Sequence, residues 1–303
     1  MYDIITVGSA AIDIFLKTES ETAKVKGHLD VCYHLGEKLL IKDLVYTTGG
    51  GGTNTAVAFS RLGLRTGFVG VLGNDANGQM ILHELKKEKV DFLGNLKKGN
   101  TGLSIILPSH DERVVLAYKG INNKLEWKDI NHGLLHAKWL YISSMLDESF
   151  ETVKKLVSKV KKDNTKIALN ISMYLAKQGY SKLSPLLRQT DIFILNKEEA
   201  QAISKKNSIS DIFSSISQYV KGIIVITDGP NTIHAYDSKK HFQHNVRKIK
   251  PVDNTGAGDA FAAGFVYGIM KQKGIKSALD MGCKEAISTL KAIGAKNNLL
   301  RRL

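Results

Sequence analysis

Short β-branched runs recur along the chain, each followed by a stretch with helical apolar spacing: DIITVG, GFVGVLG, WLYIS, KIALNIS, DIFILN and GIIVIT. That alternation demands strands buried on both faces and joined by crossover helices. It therefore predicts an α/β fold with a doubly wound, mostly parallel sheet flanked by helices. Two stretches break the rhythm. Residues of about 11–48, with AIDIFLKT and VCYHLGEKLLIKDLVYTT, and of about 98–119, with TGLSIILPSHDERVVLAY, read as strands without intervening helices. A hairpin turn is expected at His110 and Asp111. Together these insertions predict a small β-sheet lid at the mouth of a site lined by the carboxyl ends of the parallel strands, where open α/β sheets bind ligands. The alternative is a hairpin that extends the main sheet. No Pro-rich linker or internal repeat interrupts the chain, so residues 1–303 read as a single domain.

Several function classes drop out on composition. No apolar run approaches the roughly 18 residues needed to cross a bilayer, and MYDIITVGSA is strand-like rather than a signal segment. A cytoplasmic protein with no membrane partner is expected. Cys32 and Cys283 lie far apart without a CxxC partner, which predicts reduced thiols rather than a disulfide or a zinc ribbon. The net charge of +14 raises a nucleic-acid reading, but the lysines are spread through helical stretches such as HELKKEKV and SKVKKDN, as on solvated faces. No nucleic-acid partner is expected. The same positive field attracts phosphorylated ligands at low ionic strength. The pairs His132 with His136 and His241 with His244 lack the carboxylate of an HExxH site and read as ordinary histidines.

The chemistry concentrates in two glycine loops. Asp253, Asn254, Thr255, Gly256, Ala257, Gly258 and Asp259 precede AFAAGFVYGIMK, which has the spacing of a buried helix. The glycines admit close approach of backbone amides to a ligand, and the helix start leaves unpaired N–H groups, a place for phosphate. Asp259 is there either a helix cap or the proton acceptor for an attacking hydroxyl, with Gly256, Ala257 and Gly258 stabilising charge on the transferring group. The helix dipole is expected to lower its pKa. The second cluster, Gly49 to Gly52, opens a helix with Ala56, Val57, Phe59 and Leu62 at helical spacing. It is neither a Walker loop nor a dinucleotide fingerprint. Asn54 in its first turn either binds a ligand hydroxyl or caps the helix.

In order and separation, GGGGTNTAVAFSRLG and DNTGAGDAF resemble the two signatures of ribokinase (PfkB) family carbohydrate and nucleoside kinases. The resemblance extends to Gly8 and Asp13 in VGSAAID, Asn196 and Glu199 in LNKEE, and Thr227 and Gly229 in VITDGPN. It implies a ribokinase-like fold with a β lid and transfer of a phosphoryl group from ATP, with Mg2+, to a hydroxyl of a pentose or hexose. A nucleoside kinase and a non-catalytic nucleotide-binding relative are the alternatives. Carried over, Asp13, Gly49, Gly50 and Asn54 would hold the acceptor. Asn196, Glu199, Thr227, Gly229 and Thr255 would hold the nucleotide. Asn196 and Glu199 would organise Mg2+ through water or phosphate, and a monovalent cation would sit near Asp253. A homodimer through the lid is also implied. Each carried-over side chain has a plainer use: Asn196 and Glu199 as a helix cap, Thr227 to Gly229 as a turn.

The chain departs from the pattern at Gly51, where ribokinases commonly have lysine, at Thr232 in place of a second glycine, and at Asn170 in place of an aspartate. Small Gly51 would leave room for a larger acceptor, and Arg113 and Lys119 are candidate contacts for an anionic one.

Overall fold

The computed structural model describes residues 1–19, 21–25, 28–109 and 112–303. Its main sheet has nine strands among the described residues, in the order Val90–Phe92, Thr66–Val69, Tyr2–Val7, Ala137–Ile142, Lys166–Asn170, Ile192–Asn196, Ile223–Thr227, Ile233–Tyr236 and His241–His244. The first seven run parallel. The last two return antiparallel. Winding reverses between Tyr2–Val7 and Ala137–Ile142, which pair directly. This is the position at which doubly wound sheets open a crevice.

The apolar runs alternate between two cores because successive strand residues point to opposite faces. Ile5, Val7, Leu140 and Ile142 join one cluster, with Phe150 and Leu156 of helix Asp147–Val160. Ile4, Tyr141, Ile192 and Ile194 join the other, with Phe261 and Phe265 of helix Ala257–Met270.

Four strands form a sheet of their own, in the order Glu112–Tyr118, Gly102–Ser109, Ala11–Thr18 and Ile41–Gly49, so they do not extend the main sheet. Ser104, Asp13 and Thr47 lie side by side across it. The turn expected at His110 and Asp111 lies outside the described residues. Glu21–Val25 and His28–Cys32 pair antiparallel as a separate two-stranded sheet.

Several local readings differ from the structure. DIITVG is followed by strand Ala11–Thr18, not by a helix, because the small sheet is inserted before helix Gly51–Arg61. GFVGVLG splits at Gly70: Thr66–Val69 stays in the main sheet and Val71–Gly73 pairs with Asn95–Lys97. His132 and His136 are not on one helix face, since a single 3-10 turn covers His132–Leu134. The His132 ring lies against Trp127, centres 4.2 Å apart and planes tilted by 33°. His241 and His244 bracket an edge strand. No helix among the described residues is long and apolar enough to cross a membrane.

Candidate active site

Close approach explains the first glycine loop. A β-carbon at Gly49 would lie 1.9 Å from Asp13 Oδ2, so the loop and the carboxylate can touch only through glycine. Gly50 has φ 95°, in the left-handed region that glycine tolerates, and forms the N-cap of helix Gly51–Arg61. The helix start is tied to the first strand by Thr6 Oγ1, which donates to the Gly52 carbonyl at 3.0 Å.

In the second loop, Asp253 Oδ1 accepts hydrogen bonds from the Thr255 amide at 3.0 Å and the Thr255 hydroxyl at 2.8 Å. Oδ2 accepts from the Gly294 amide at 2.9 Å. Gly256, at φ 79°, turns the chain into helix Ala257–Met270, and no side chain among the described residues caps that helix. Its first amides keep their partial positive charge.

The two loops meet through one hydrogen bond. Asn54 Nδ2 donates to Asp259 Oδ2 at 2.8 Å across 205 positions of sequence. Asn54 Oδ1 is buried without a partner. Burial pushes the pKa of Asp259 up, and the charge of Asp13 adds to it, while the Asn54 bond and Lys296 act in the opposite sense. This corrects the expectation of a lowered value, because the loss of water around the carboxylate outweighs the Asn54 hydrogen bond and the Lys296 charge. Asp13 is also raised by burial, against the Ser104 hydroxyl and Lys296.

Asn196 and Glu199 form a capping box on helix Lys197–Ser204. Asn196 Oδ1 accepts from the Glu199 amide at 2.8 Å and Glu199 Oε2 accepts from the Asn196 amide at 2.9 Å. Burial pushes Glu199 up to about 7; the Asn196 amide opposes this, and Glu198 and Asp259 add to it.

A cleft of about 240 Å³ opens at the carboxyl ends of the strands and brings Gly51, Glu199 and Asp259 together with Ser9, Lys119, Ser143, Ser144, Asn170 and Tyr174. Asp13, Gly49, Gly50, Asn54, Asn196, Thr227, Gly229, Thr255, Gly256, Ala257 and Gly258 do not line it. Thr227 Oγ1 is turned to the Leu195 carbonyl at 3.4 Å. Gly229 has φ 52° beside a turn whose Asp228 pairs with Lys197 at 2.9 Å.

Gly51 borders the cleft, but the space directly over its α-carbon is taken. A β-carbon there would lie 2.1 Å from Ser143 Oγ, so Ser143 fills that space. Of the two candidate anion contacts, Lys119 lines the cleft, its ammonium 5.7 Å from the centre of the Tyr174 ring. Arg113 sits on the small sheet opposite Pro108. Sequence reading passed over Ser143, Ser144 and Tyr174. The two serines had a usable signal, since they directly follow an apolar strand of an open α/β sheet.

The family described as pfkB family carbohydrate kinase matches residues 1–301. An uncharacterized sugar kinase of Archaeoglobus fulgidus is 25% identical over 81% of this chain and 99% of its own length. The 5-dehydro-2-deoxygluconokinase of Bacillus velezensis is 25% identical over 94% of this chain and 87% of its own. Among solved structures, adenosine kinase from Sinorhizobium meliloti superposes with a TM-score of 0.85 at 19% identity, covering 99% of this chain and 97% of that one. An E. coli protein described as a ribokinase II, in complex with ATP and Mg2+, superposes with a TM-score of 0.82 at 17% identity, covering 99% and 96%. With both glycine loops meeting at Asp259 and the match running through residue 301, the chain belongs to the pfkB family of carbohydrate kinases.

Proposed function

We propose that the chain transfers the γ-phosphoryl group of ATP to a hydroxyl of a small sugar, a pentose or hexose, with Asp259 as proton acceptor. The observation that carries this reading is the Asp259 carboxylate. It stands in the first turn of an uncapped helix and bonds Asn54 from the other glycine loop, not its own backbone amides. A raised pKa makes its carboxylate a better base than an ordinary aspartate. The amides of Gly256 and Gly258, with that of Ala257, which makes a long bond to the Asn254 carbonyl at 3.4 Å, stabilise charge on the transferring group. Asp13, Gly49, Gly50 and the unpaired Asn54 Oδ1 receive acceptor hydroxyls.

The oxygen donors fit Mg2+ held mainly by phosphate and water. Glu199 and Asp259 are the carboxylates lining the cleft, and no cluster of three or more metal-ligating side chains occurs among the described residues. Mg2+ would neutralise phosphate charge there, with Glu199 and Asn196 orienting its water. Thr227, Gly229 and Thr255 face the nucleotide in the same reading. At Asp253 a monovalent cation would share oxygens already engaged by Thr255 and Gly294, so its role is tested by comparing rates with and without potassium.

The small sheet acts as a lid over a single catalytic domain, 1–303, and excludes water from the transfer. On the sheet face opposite Asp13, register aligns Leu116, Ile105, Ile14 and Tyr46, with Leu116 54% and Tyr46 55% exposed. A second copy covers that row in a homodimer, which sedimentation tests. The same reading puts the enzyme in the cytoplasm.

Nucleosides are the second class of acceptor, favoured by the backbone likeness to adenosine kinase. The deciding assay is ADP release from MgATP across pentoses, hexoses, nucleosides, sugar phosphates and sugar acids, each against a no-acceptor blank. Turnover with one acceptor well above blank names the substrate. Bound ATP with no turnover on any acceptor favours a non-catalytic relative.

A further inference from the structure

Lys296 is 3% exposed, yet the proposed transfer makes no use of it. Its ammonium donates to Glu84 Oε2 at 2.7 Å and to Thr48 Oγ1 at 2.8 Å, and Thr48 donates to the same Glu84 oxygen. A lysine this deep is costly to keep charged unless paired and hydrogen-bonded. Burial pushes its pKa down and Glu84 opposes the shift.

Adjacent residues give the lysine its place. The Gly294 amide donates to Asp253, and Gly294 lies against the Thr47 side chain. Ala295 packs directly on Gly256. Lys296 then reaches Thr48, next to the glycine that rests on Asp13. Three consecutive residues thus span from the phosphate loop to the root of the small sheet. Arg61 grips the Lys296 carbonyl at 2.6 Å while it pairs with Glu88.

The charged groups around the ammonium come from every element packed on it: Glu84 from helix Ala76–Lys87, Asp13 from the small sheet, Arg61 from helix Gly51–Arg61, and Asp259 within electrostatic range. His83 and Lys87 share with Lys296 the lining of a second cleft of about 240 Å³. The lysine charge favours ionised Asp13 and Asp259, against the burial that disfavours them.

We propose that Lys296 is a positioning residue of the transfer site, locking the root of the small sheet to the phosphate loop and holding a fixed positive charge behind Asp13 and Asp259. Its kinetic consequence rests on the kinase reading; its electrostatic consequence does not.

The test is the double variant Lys296→Met with Glu84→Gln, which removes both members of the ion pair so that neither is left charged without the other. In the folded variant kcat is expected to fall about tenfold with KM for ATP unchanged. The acid limb of its rate profile moves to higher pH, because a carboxylate without the nearby cation is harder to ionise. Carboxyl NMR of Asp259, needing no acceptor, should show its titration moved in the same direction. A titration that coincides with the wild type overturns the proposal and leaves Lys296 a packing element. Failure of the kinase reading differs, since wild type itself would then turn over no acceptor. Lys296→Gln with Glu84→Gln keeps neutral hydrogen bonds to Thr48 and decides the matter by the same titration if the first pair does not fold.

Discussion

Two helices begin near the same cleft, and their amino ends are treated in opposite ways. Helix Lys197–Ser204 is closed by its own side chains, with Asn196 and Glu199 bonding each other's backbone amides. Helix Ala257–Met270 has no side-chain cap, and the carboxylate in its first turn turns away from the backbone to Asn54. A closed end has used its donors on itself, whereas an open end keeps amides and partial charge for a ligand. The motif at 196–199 therefore contributes to local stability even before any ligand binds. The loop at 253–259 gains from a bound anion.

The comparison breaks most sharply at Asp259. Asp259→Asn keeps size and removes the proton acceptor, and kcat should fall about 10²-fold or more with nucleotide binding kept. Unchanged turnover would return Asp259 to a structural role. The next largest effect is expected at Gly256, where a β-carbon would lie 2.3 Å from that of Ala295 and the backbone is left-handed. Gly256→Ala should cost about 1–3 kcal/mol in a denaturant melt and weaken ATP binding in calorimetry. Full affinity would show that the loop is not the phosphate seat.

At the closed end, Asn196→Ala should lose about 1 kcal/mol of stability, measured by urea unfolding. A drop in kcat larger than that in stability would indicate that the box also orients the nucleotide. The last test concerns pH. Glu199 rises from 4.5 in the unfolded chain to about 7 in the fold, so between those values the folded state holds more protons. Stability from this group is present below about 4.5 and is lost as pH climbs toward 7. Glu199→Gln keeps the capping geometry and should flatten that slope in melting temperatures. Glu285, raised to about 7 by burial, has the same sign and remains as background. An unaltered slope would place the proton elsewhere.

Much of the fold was legible because each apolar run carries its own strand signal, and burial on both faces follows from runs without alternation. The strands Val90–Phe92, Ile233–Tyr236 and His241–His244 were not legible, being short or at the edge of the sheet, where polar residues are tolerated. Within the site, the glycine loops and Asp259 were visible as local chemistry. Ser143 filling the space beside Gly51 was not, nor was the sign of the Asp259 shift.

The sequence by itself determined an open α/β sheet, an inserted pair of β segments, two glycine-led helix starts and an acid beside one of them. These depend on residues a few positions apart, where backbone preference and side-chain period act directly. Only the tertiary structure decided that Asn54 meets Asp259, that Lys296 reaches Thr48, and that burial outweighs the Asn54 bond and the Lys296 charge at the carboxylate. Those outcomes depend on contacts across more than 200 positions and on how much water the packed chain excludes, and no local window of residues encodes either.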